Sequence, residues 1–177
     1  MDPRPPPSLP RLTLVLGGAR SGKSRYAEAV VTARPPPWIY VATAQAFDEE
    51  MAARIAHHKA RRAEGWRTVE TTLELAAIVA ANDASGAPLL IDCLTLWLSN
   101  VMLAGRDVGA TCHELIKALT SARGPIVAVS NEVGLGIVPD NALARAFRDA
   151  QGRLNQEVAA RADRVVLMAA GLPLTLK

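Results

Sequence analysis

The chain is short of aromatic residues, cysteine and long apolar runs, and each shortage excludes something. Phenylalanine, tryptophan and tyrosine make up only 4% of its 177 residues. The core must therefore be assembled from Leu, Val, Ile and abundant Ala. The same shortage speaks against a nucleic-acid binder, because no basic stretch is interleaved with stacking rings. The two cysteines, Cys93 and Cys112, are neither closely spaced nor joined to a histidine pattern of zinc type. Reduced thiols in a cytoplasmic chain are the expectation. No run approaches the ~20 apolar residues of a membrane span, and the opening MDPRPPPSLP lacks the apolar stretch of a signal peptide. A disordered proline-rich tail over residues 1–10 and a single domain over residues 11–177 are expected. Net charge is +3, from 20 Lys and Arg against 17 Asp and Glu. That balance suits a handler of phosphorylated small molecules and does not call for DNA or RNA.

What is present is sharper. Gly17-Gly18-Ala19-Arg20-Ser21-Gly22-Lys23-Ser24 fits the phosphate-binding pattern G-x-x-x-x-G-K-[ST] without a mismatch. Glycines let backbone N–H groups curl around an anion where a Cβ would interfere. Lys23 can reach the β- and γ-phosphates, and the Ser24 hydroxyl can ligate Mg²⁺. The apolar Arg11–Leu16 segment before the motif reads as a buried strand. Tyr26, Ala27, Ala29 and Val30 after it carry a helix-like apolar pattern. Strand, glycine loop and helix N-terminus together make an anion site. Lys23 is expected to point into a wet site and not into the core.

Beyond the motif, Arg34-Pro35-Pro36-Pro37 interrupts the chain and Trp38–Ala42 reads as a strand. Phe47–Glu64 has no helix breaker and is expected to be helical up to Gly65. Trp66–Glu70 reads as a short strand, and Thr71 or Thr72 can cap a helix running to about Asn82. Strands follow at Leu89–Asp92, Ile126–Val129, Arg164–Met168 and Leu172–Leu176, with helices at Leu94–Leu103, Glu114–Ala122 and Asn141–Ala162. The alternation predicts an α/β fold of P-loop NTPase type, a mostly parallel sheet with helices on both faces. Right-handed crossovers place the ligand crevice at the carboxyl ends of the strands.

Three segments carry further chemistry. Asp92 ends an apolar strand, as does an acid that holds Mg²⁺; a strand-end Asp capping the next helix is the equal alternative. Between Arg54 and Arg67 stand Arg54, His57, His58, Lys59, Arg61, Arg62 and Arg67, with Glu64 the only acid. Such a run is either a solvated helix face or a site for an anionic ligand with a nucleophile in place. At about 100° per residue, His58 falls within roughly 60° of Ile55 on the Phe47–Met51–Ile55 stripe, while His57 lies roughly 160° away. His58 is therefore expected to face inward and His57 outward. Asn131–Pro139 (NEVGLGIVP) follows a strand and reads either as a substrate loop or as an ordinary connection.

These segments together resemble the bifunctional adenosylcobinamide kinase and adenosylcobinamide-phosphate guanylyltransferase family of cobalamin biosynthesis. The matching stretches are GGARSGKS at Gly17–Ser24, YVATAQ at Tyr40–Gln45, DEEMAARIAHHKARR at Asp48–Arg62 and WRTVE at Trp66–Glu70. They continue with LLIDC at Leu89–Cys93 and with Ser130–Ala159. The resemblance covers nearly everything after Arg11, and the histidine segment combined with NEVGLGIVP is its specific part. It implies phosphorylation of adenosylcobinamide by ATP or GTP. It further implies transfer of GMP from GTP to that phosphate through a guanylylated histidine, giving adenosylcobinamide-GDP. The implied nucleophile is His58, with Lys23 as the other catalytic group. The implied nucleotide contacts are Gly17–Ser24, Ala42, Thr43, Ala44, Lys59, Ala60, Arg61, Arg62, Glu70 and Asp92, with Mg²⁺ on Ser24 and Asp92. The resemblance also implies a homo-oligomer, a trimer. A small-molecule kinase without the second activity is the alternative enzyme. A GTP switch of Ras type is disfavoured because no N-K-x-D occurs.

Overall fold

The structure, a computed structural model, describes residues 9–45, 64–82 and 85–177. The expected disordered tail, but for its last two residues, and nearly all of the expected helix at Phe47–Glu64 lie outside the described residues. The elements in chain order are β1 (Leu12–Gly17), α1 (Lys23–Thr32), β2 (Trp38–Ala42), β3 (Trp66–Glu70), α2 (Leu75–Asn82) and β4 (Leu89–Asp92). Then come α3 (Leu94–Leu103), α4 (Val108–Ser121), β5 (Ile126–Val129), α5 (Ala142–Arg161), β6 (Arg164–Ala169) and β7 (Leu172–Thr175).

The seven strands form one sheet in the order β3-β2-β4-β5-β1-β6-β7. Every pairing is parallel except β6 with β7, which is antiparallel. The α/β fold with a mostly parallel sheet is thus as the alternation of elements predicts. Because side chains alternate across a strand, each strand supplies both faces. Leu12, Leu14, Leu16, Ile39, Val41, Leu89 and Ile91 pack on one face with Leu75, Leu94, Trp97, Leu115, Leu119 and Leu154 from α2 to α5. Val15, Tyr40, Leu90, Val127, Val129 and Val166 pack on the other with Ala27 and Val31 of α1. The four central strands are buried throughout but for Asp92 and Ala42 at two carboxyl ends, which is the continuous apolar pattern of strands covered on both sides. Trp66 of the edge strand lies 5.4 Å from Trp38 and 5.8 Å, edge-on, from Tyr40. Three of the few aromatics thus close that end of the sheet.

Two details differ from the sequence reading. The buried stripe of α1 is Lys23, Ala27 and Val31, an i, i+4, i+8 row, and Ala29 is exposed. The helix before β5 begins at Val108 and not at Glu114, because Asp107 caps it: its Oδ1 accepts from Ala110 N at 2.8 Å. Of the two caps expected ahead of α2, Thr71 is the one that bonds a backbone N–H, and Asn141, expected as the first residue of its helix, is the N-cap of α5. Thr71 Oγ1 accepts from Glu74 N at 3.1 Å, and Asn141 Oδ1 accepts from Ala144 N at 2.7 Å. No helix among the described residues is long and apolar enough to cross a membrane.

Candidate active site

The crevice is fixed by register. Ala42 at the end of β2 stands opposite Glu70 on one side and Asp92 on the other. Asp92 is opposite Val129, and Val129 is opposite Val15. The carboxyl ends of β3, β2, β4, β5 and β1 therefore form one rim, with the glycine loop rising from the last of them.

The loop leaves β1 at Gly17, where a Cβ would come within 2.6 Å of the Met168 carbonyl oxygen and 2.7 Å of Ser21 Oγ. Only glycine fits that approach. Arg20 has φ 56° and Gly22 has φ 95°, and Gly22 is the N-cap from which α1 starts at Lys23. Backbone N–H groups at a helix N-terminus make an anion cradle of the kind the motif predicts. Lys23 Nζ turns back to donate to the Gly18 carbonyl at 2.6 Å.

Lys23 is not in a wet site: it is only 7% exposed. The stripe that buries Ala27 and Val31 also carries it under the loop. Burial pulls the ammonium pKa below 10.5, while the neighbouring Cys93 and Asp92 pull it up. A cation short of water and beside a nest of N–H groups attracts a phosphate more strongly than a solvated lysine does.

Asp92 Oδ2 accepts from Tyr40 Oη at 2.8 Å. Of the two roles open to Asp92, capping is not the one it takes, since the N-cap of α3 is Cys93. The Cys93 thiol is pushed up to about 12 by burial and by the Asp92 carboxylate, so it stays protonated and unreactive.

Thr43 is fully buried. Its Oγ1 donates to the Cys93 carbonyl at 2.8 Å and accepts from Cys93 N at 2.9 Å. Asn100 Nδ2 in turn donates to the carbonyls of Thr43 at 2.8 Å and Thr72 at 3.2 Å. The Thr43 hydroxyl is thus committed to holding the Asp92–Cys93 corner. Ala44 is half-buried beside it, and Glu70 is exposed at the rim's outer end.

The structure brings Gly17–Ser24, Ala42, Thr43, Ala44 and Asp92 together. His58, Lys59, Ala60, Arg61 and Arg62 lie outside the described residues. His113, the one described histidine, is exposed on α4, on the opposite side of the sheet from α1. Among the described residues no three His, Cys, Asp or Glu side chains are grouped to hold a metal by themselves.

Sequence reasoning missed a buried polar cluster at the end of β5. Ser130 Oγ donates to Asn155 Oδ1 at 2.6 Å and accepts from Gln151 Nε2 at 2.9 Å. Asn155 Nδ2 reaches the Asn131 carbonyl at 3.1 Å and Glu132 Oε1 at 2.9 Å. A signal existed: Gln151 and Asn155 share the inward stripe of α5 with Leu154 and Val158.

Residues 13–176 match the model of the family described as cobinamide kinase / cobinamide phosphate guanyltransferase. The chain belongs to this family. It is 47% identical over 166 residues to the bifunctional adenosylcobalamin biosynthesis protein CobP of Pseudomonas aeruginosa, covering 93% of this chain and 96% of the relative. It is 41% identical over 181 residues to the bifunctional adenosylcobalamin biosynthesis protein CobU of Salmonella typhimurium, covering 94% and 99% respectively. Among solved structures it is similar to the flagellar accessory protein FlaH of Methanocaldococcus jannaschii, with TM-score 0.55, 12% identity, and 96% and 80% of the two chains covered. The RadB recombinase is similar at TM-score 0.55 and 15% identity, with 90% and 74% covered. At those identities the likeness is one of fold alone. As a member of the cobinamide kinase and guanyltransferase family, the chain is a bifunctional transferase.

Proposed function

We propose that the Gly17–Ser24 cradle holds the triphosphate of ATP or GTP, and that both family reactions draw on it. In the kinase reaction the γ-phosphoryl passes to the aminopropanol hydroxyl of adenosylcobinamide. In the second reaction GMP passes from GTP to the resulting phosphate, giving adenosylcobinamide-GDP and pyrophosphate, with His58 as the group that carries GMP. The observation that supports this reading best is the burial of Lys23 beneath the loop, next to Asp92 across the crevice. A desolvated ammonium facing a carboxylate at the mouth of an N–H nest is suited to a metal–phosphate ligand.

Mg²⁺ fits the donors present. The Ser24 hydroxyl and the Asp92 carboxylate are hard oxygen ligands of the kind Mg²⁺ takes, with phosphates and water completing its shell. Bound there, the ion would neutralise charge on the β- and γ-phosphates. Lys23 supports the transferred group, and Tyr40 orients the Asp92 carboxylate through its hydrogen bond. The Thr43 hydroxyl is occupied by Cys93, and the Thr43 N–H, the Thr43 carbonyl and the Ala42 carbonyl are bonded to Asp92, Asn100 and Thr71, so nucleotide contacts in this stretch fall mainly to Ala44. Glu70, exposed at the outer end of the rim, is placed for the nucleoside. Lys59, Arg61 and Arg62 would offset charge developing at the α-phosphate as the imidazole attacks. The loop that runs from Asn131 to Pro139 takes the acceptor. The enzyme is read as a cytoplasmic homotrimer, a state that sedimentation would test.

Incubation with α-³²P-GTP, with and without adenosylcobinamide, tests the whole reading. An acid-labile protein–GMP adduct and labelled adenosylcobinamide-GDP are the expected results. Phosphorylated acceptor without any adduct would reduce the protein to a small-molecule kinase. GTP hydrolysis without an acceptor product would make it a switch.

A further inference from the structure

β5 lies between β1, which carries the phosphate loop, and β4, which ends in Asp92. The residues that leave β5 therefore emerge between the loop and the proposed metal carboxylate. They are held against the loop: Ser130 N donates to the Val15 carbonyl at 2.9 Å and Glu132 N to the Gly17 carbonyl at 3.1 Å. Glu132 thus stands beside the first glycine of the cradle, with one carboxylate oxygen bound to Asn155 Nδ2 at 2.9 Å. The other oxygen has no partner among the described residues.

The support behind Glu132 is unusual for a connecting loop. Ser130 and Gln151 are wholly buried and Asn155 is 5% exposed. Thr95 Oγ1 accepts from Asn131 N at 2.8 Å and sits 3.5 Å from Ser130 Oγ. Gln151 Nε2 also donates to Asn155 Oδ1 at 2.9 Å, which fixes the Asn155 amide with its NH₂ toward Glu132. Side chains from α3, α5 and the end of β5 are thus desolvated together to set one carboxylate in place. Burying polar groups inside an apolar stripe is costly, the more so here because Gln151 Oε1 has no hydrogen-bond partner among the described residues. A carboxylate fixed beside a phosphate cradle also weakens anion binding by like-charge repulsion. Such an arrangement is unfavourable for holding nucleotide and favourable for taking a proton from whatever attacks the nucleotide.

We propose that Glu132 is the catalytic carboxylate of the kinase step, and that Asn155, Gln151 and Ser130 are its positioning residues. The inference rests on the reading of Gly17–Ser24 as the triphosphate site. As the acceptor hydroxyl oxygen forms its bond to the γ-phosphorus, its proton passes to Glu132. The bond from the γ-phosphorus to the β,γ-bridging oxygen breaks, and its electron pair leaves with the nucleoside diphosphate. Glu132 then releases the proton to solvent. The guanylyl step has no such need, because its acceptor is a phosphate oxygen already ionised. Glu132 therefore divides the two activities.

The decisive variant is Glu132→Gln, which keeps an oxygen acceptor for Asn155 and the side-chain volume but cannot take a proton. The kcat for phosphorylation of adenosylcobinamide should fall by about 100-fold or more, with KM for the nucleotide unchanged or lowered, since a like charge beside the phosphates is removed. Guanylyl transfer to supplied adenosylcobinamide phosphate should keep its kcat in the same preparation, whatever the change in KM for the acceptor that this loop takes. Glu132→Asp should restore part of the kinase rate, and Asn155→Leu should lower kinase kcat without lowering guanylyl transfer. An unchanged kinase rate in Glu132→Gln would overturn the proposal, as would equal losses in both reactions, which would mark a merely structural role. Recovery of kcat at saturating Mg²⁺ would assign the carboxylate to the metal and also overturn it. If the wild-type protein itself failed to phosphorylate adenosylcobinamide, the functional reading would fall first and this proposal with it.

Discussion

Replacing Lys23 by methionine separates what that residue does for the fold from what it does for phosphate. Methionine keeps the length and most of the volume of the stem, which lies in line with Ala27 and Val31 on the buried face of α1. Two effects on stability then oppose each other. The charge-assisted bond to the Gly18 carbonyl is lost, at about 1.5–3 kcal/mol. The desolvation penalty of a buried ammonium is removed, and an apolar replacement for a buried charge is often neutral or favourable by a similar amount. The net change should lie within about 1 kcal/mol, or about 2–4 °C in Tm for a chain of this length. Activity should behave quite differently. Loss of one preorganised cation at the transferred phosphoryl lowers kcat by about 10²–10³-fold, or roughly 3–4 kcal/mol. The two assays are a thermal melt and steady-state phosphorylation of adenosylcobinamide. Because the folded-state pKa of Lys23 lies below 10.5, the unfolded chain holds a proton that the folded chain sheds in the window between them. Wild-type stability relative to Lys23→Met should therefore rise with pH through that window. Nucleotide phosphate raises the pKa again, so binding takes up a proton and affinity should fall over the same range. A folded Lys23→Met protein with near-wild-type kcat would refute the assignment of this lysine to the phosphate.

Asp92→Asn keeps an oxygen acceptor for Tyr40 and should leave Tm nearly unchanged, while the Mg²⁺ needed for half-maximal kinase rate rises at least about tenfold; an unaltered Mg²⁺ profile would leave Asp92 only its bond to Tyr40. His58→Asn should abolish labelling by α-³²P-GTP and guanylyl transfer while sparing phosphorylation, and His57→Asn should retain most of both. The opposite pattern would move the nucleophile to His57, and label persisting in both variants would end histidine catalysis. Thr43→Val leaves the buried Cys93 N–H without its partner, whereas the Cys93 carbonyl still accepts from Trp97 N. It should cost about 1–3 kcal/mol in denaturant unfolding, with Thr43→Ser recovering most of it; a midpoint equal to wild type would show the Thr43 hydroxyl to be dispensable.

The parts of this molecule that were legible in sequence are those whose determinants are contiguous. The glycine loop, the strand before it and the helix after it occupy one short stretch, so their geometry is written where they stand. The central strands were legible because burial on both faces leaves unbroken apolar runs such as Leu89-Leu90-Ile91. The role of Asp92 could be narrowed to two but not decided, because its partner Tyr40 is brought to it by the parallel register of β2 with β4. The start of α4 was missed although Asp107 is a good cap, since the weakly amphipathic turn after it gives little periodicity to follow. The burial of Lys23 was misjudged for a different reason: a lysine in a phosphate motif suggests solvent. Yet Lys23, Ala27 and Val31 fall on one helical row, and that row was there to be counted.

Glu132 shows what long-range support looks like before a structure is in hand. Nothing in NEVGLGIVP separates a working carboxylate from a loop residue, and the decisive atoms belong to residues about twenty positions later. The clue lies in those later residues. Gln151 and Asn155 are spaced i, i+4 and interleave with Leu154 and Val158, so any packing that buries the leucine and valine also buries the two amides. Buried amides gain most by finding partners, as Gln151 Nε2 and both ends of the Asn155 amide do here, while Gln151 Oε1 has none among the described residues. Two amides on an inward stripe therefore imply a polar feature opposite them, and the parallel sheet determines where that feature lies. α5 packs on the face that also carries Leu14, Ile91 and Ala128, so the amides meet the chain as it leaves β5. A polar patch on an otherwise apolar helix stripe thus points toward the strand end it supports, and here that strand end adjoins the phosphate loop.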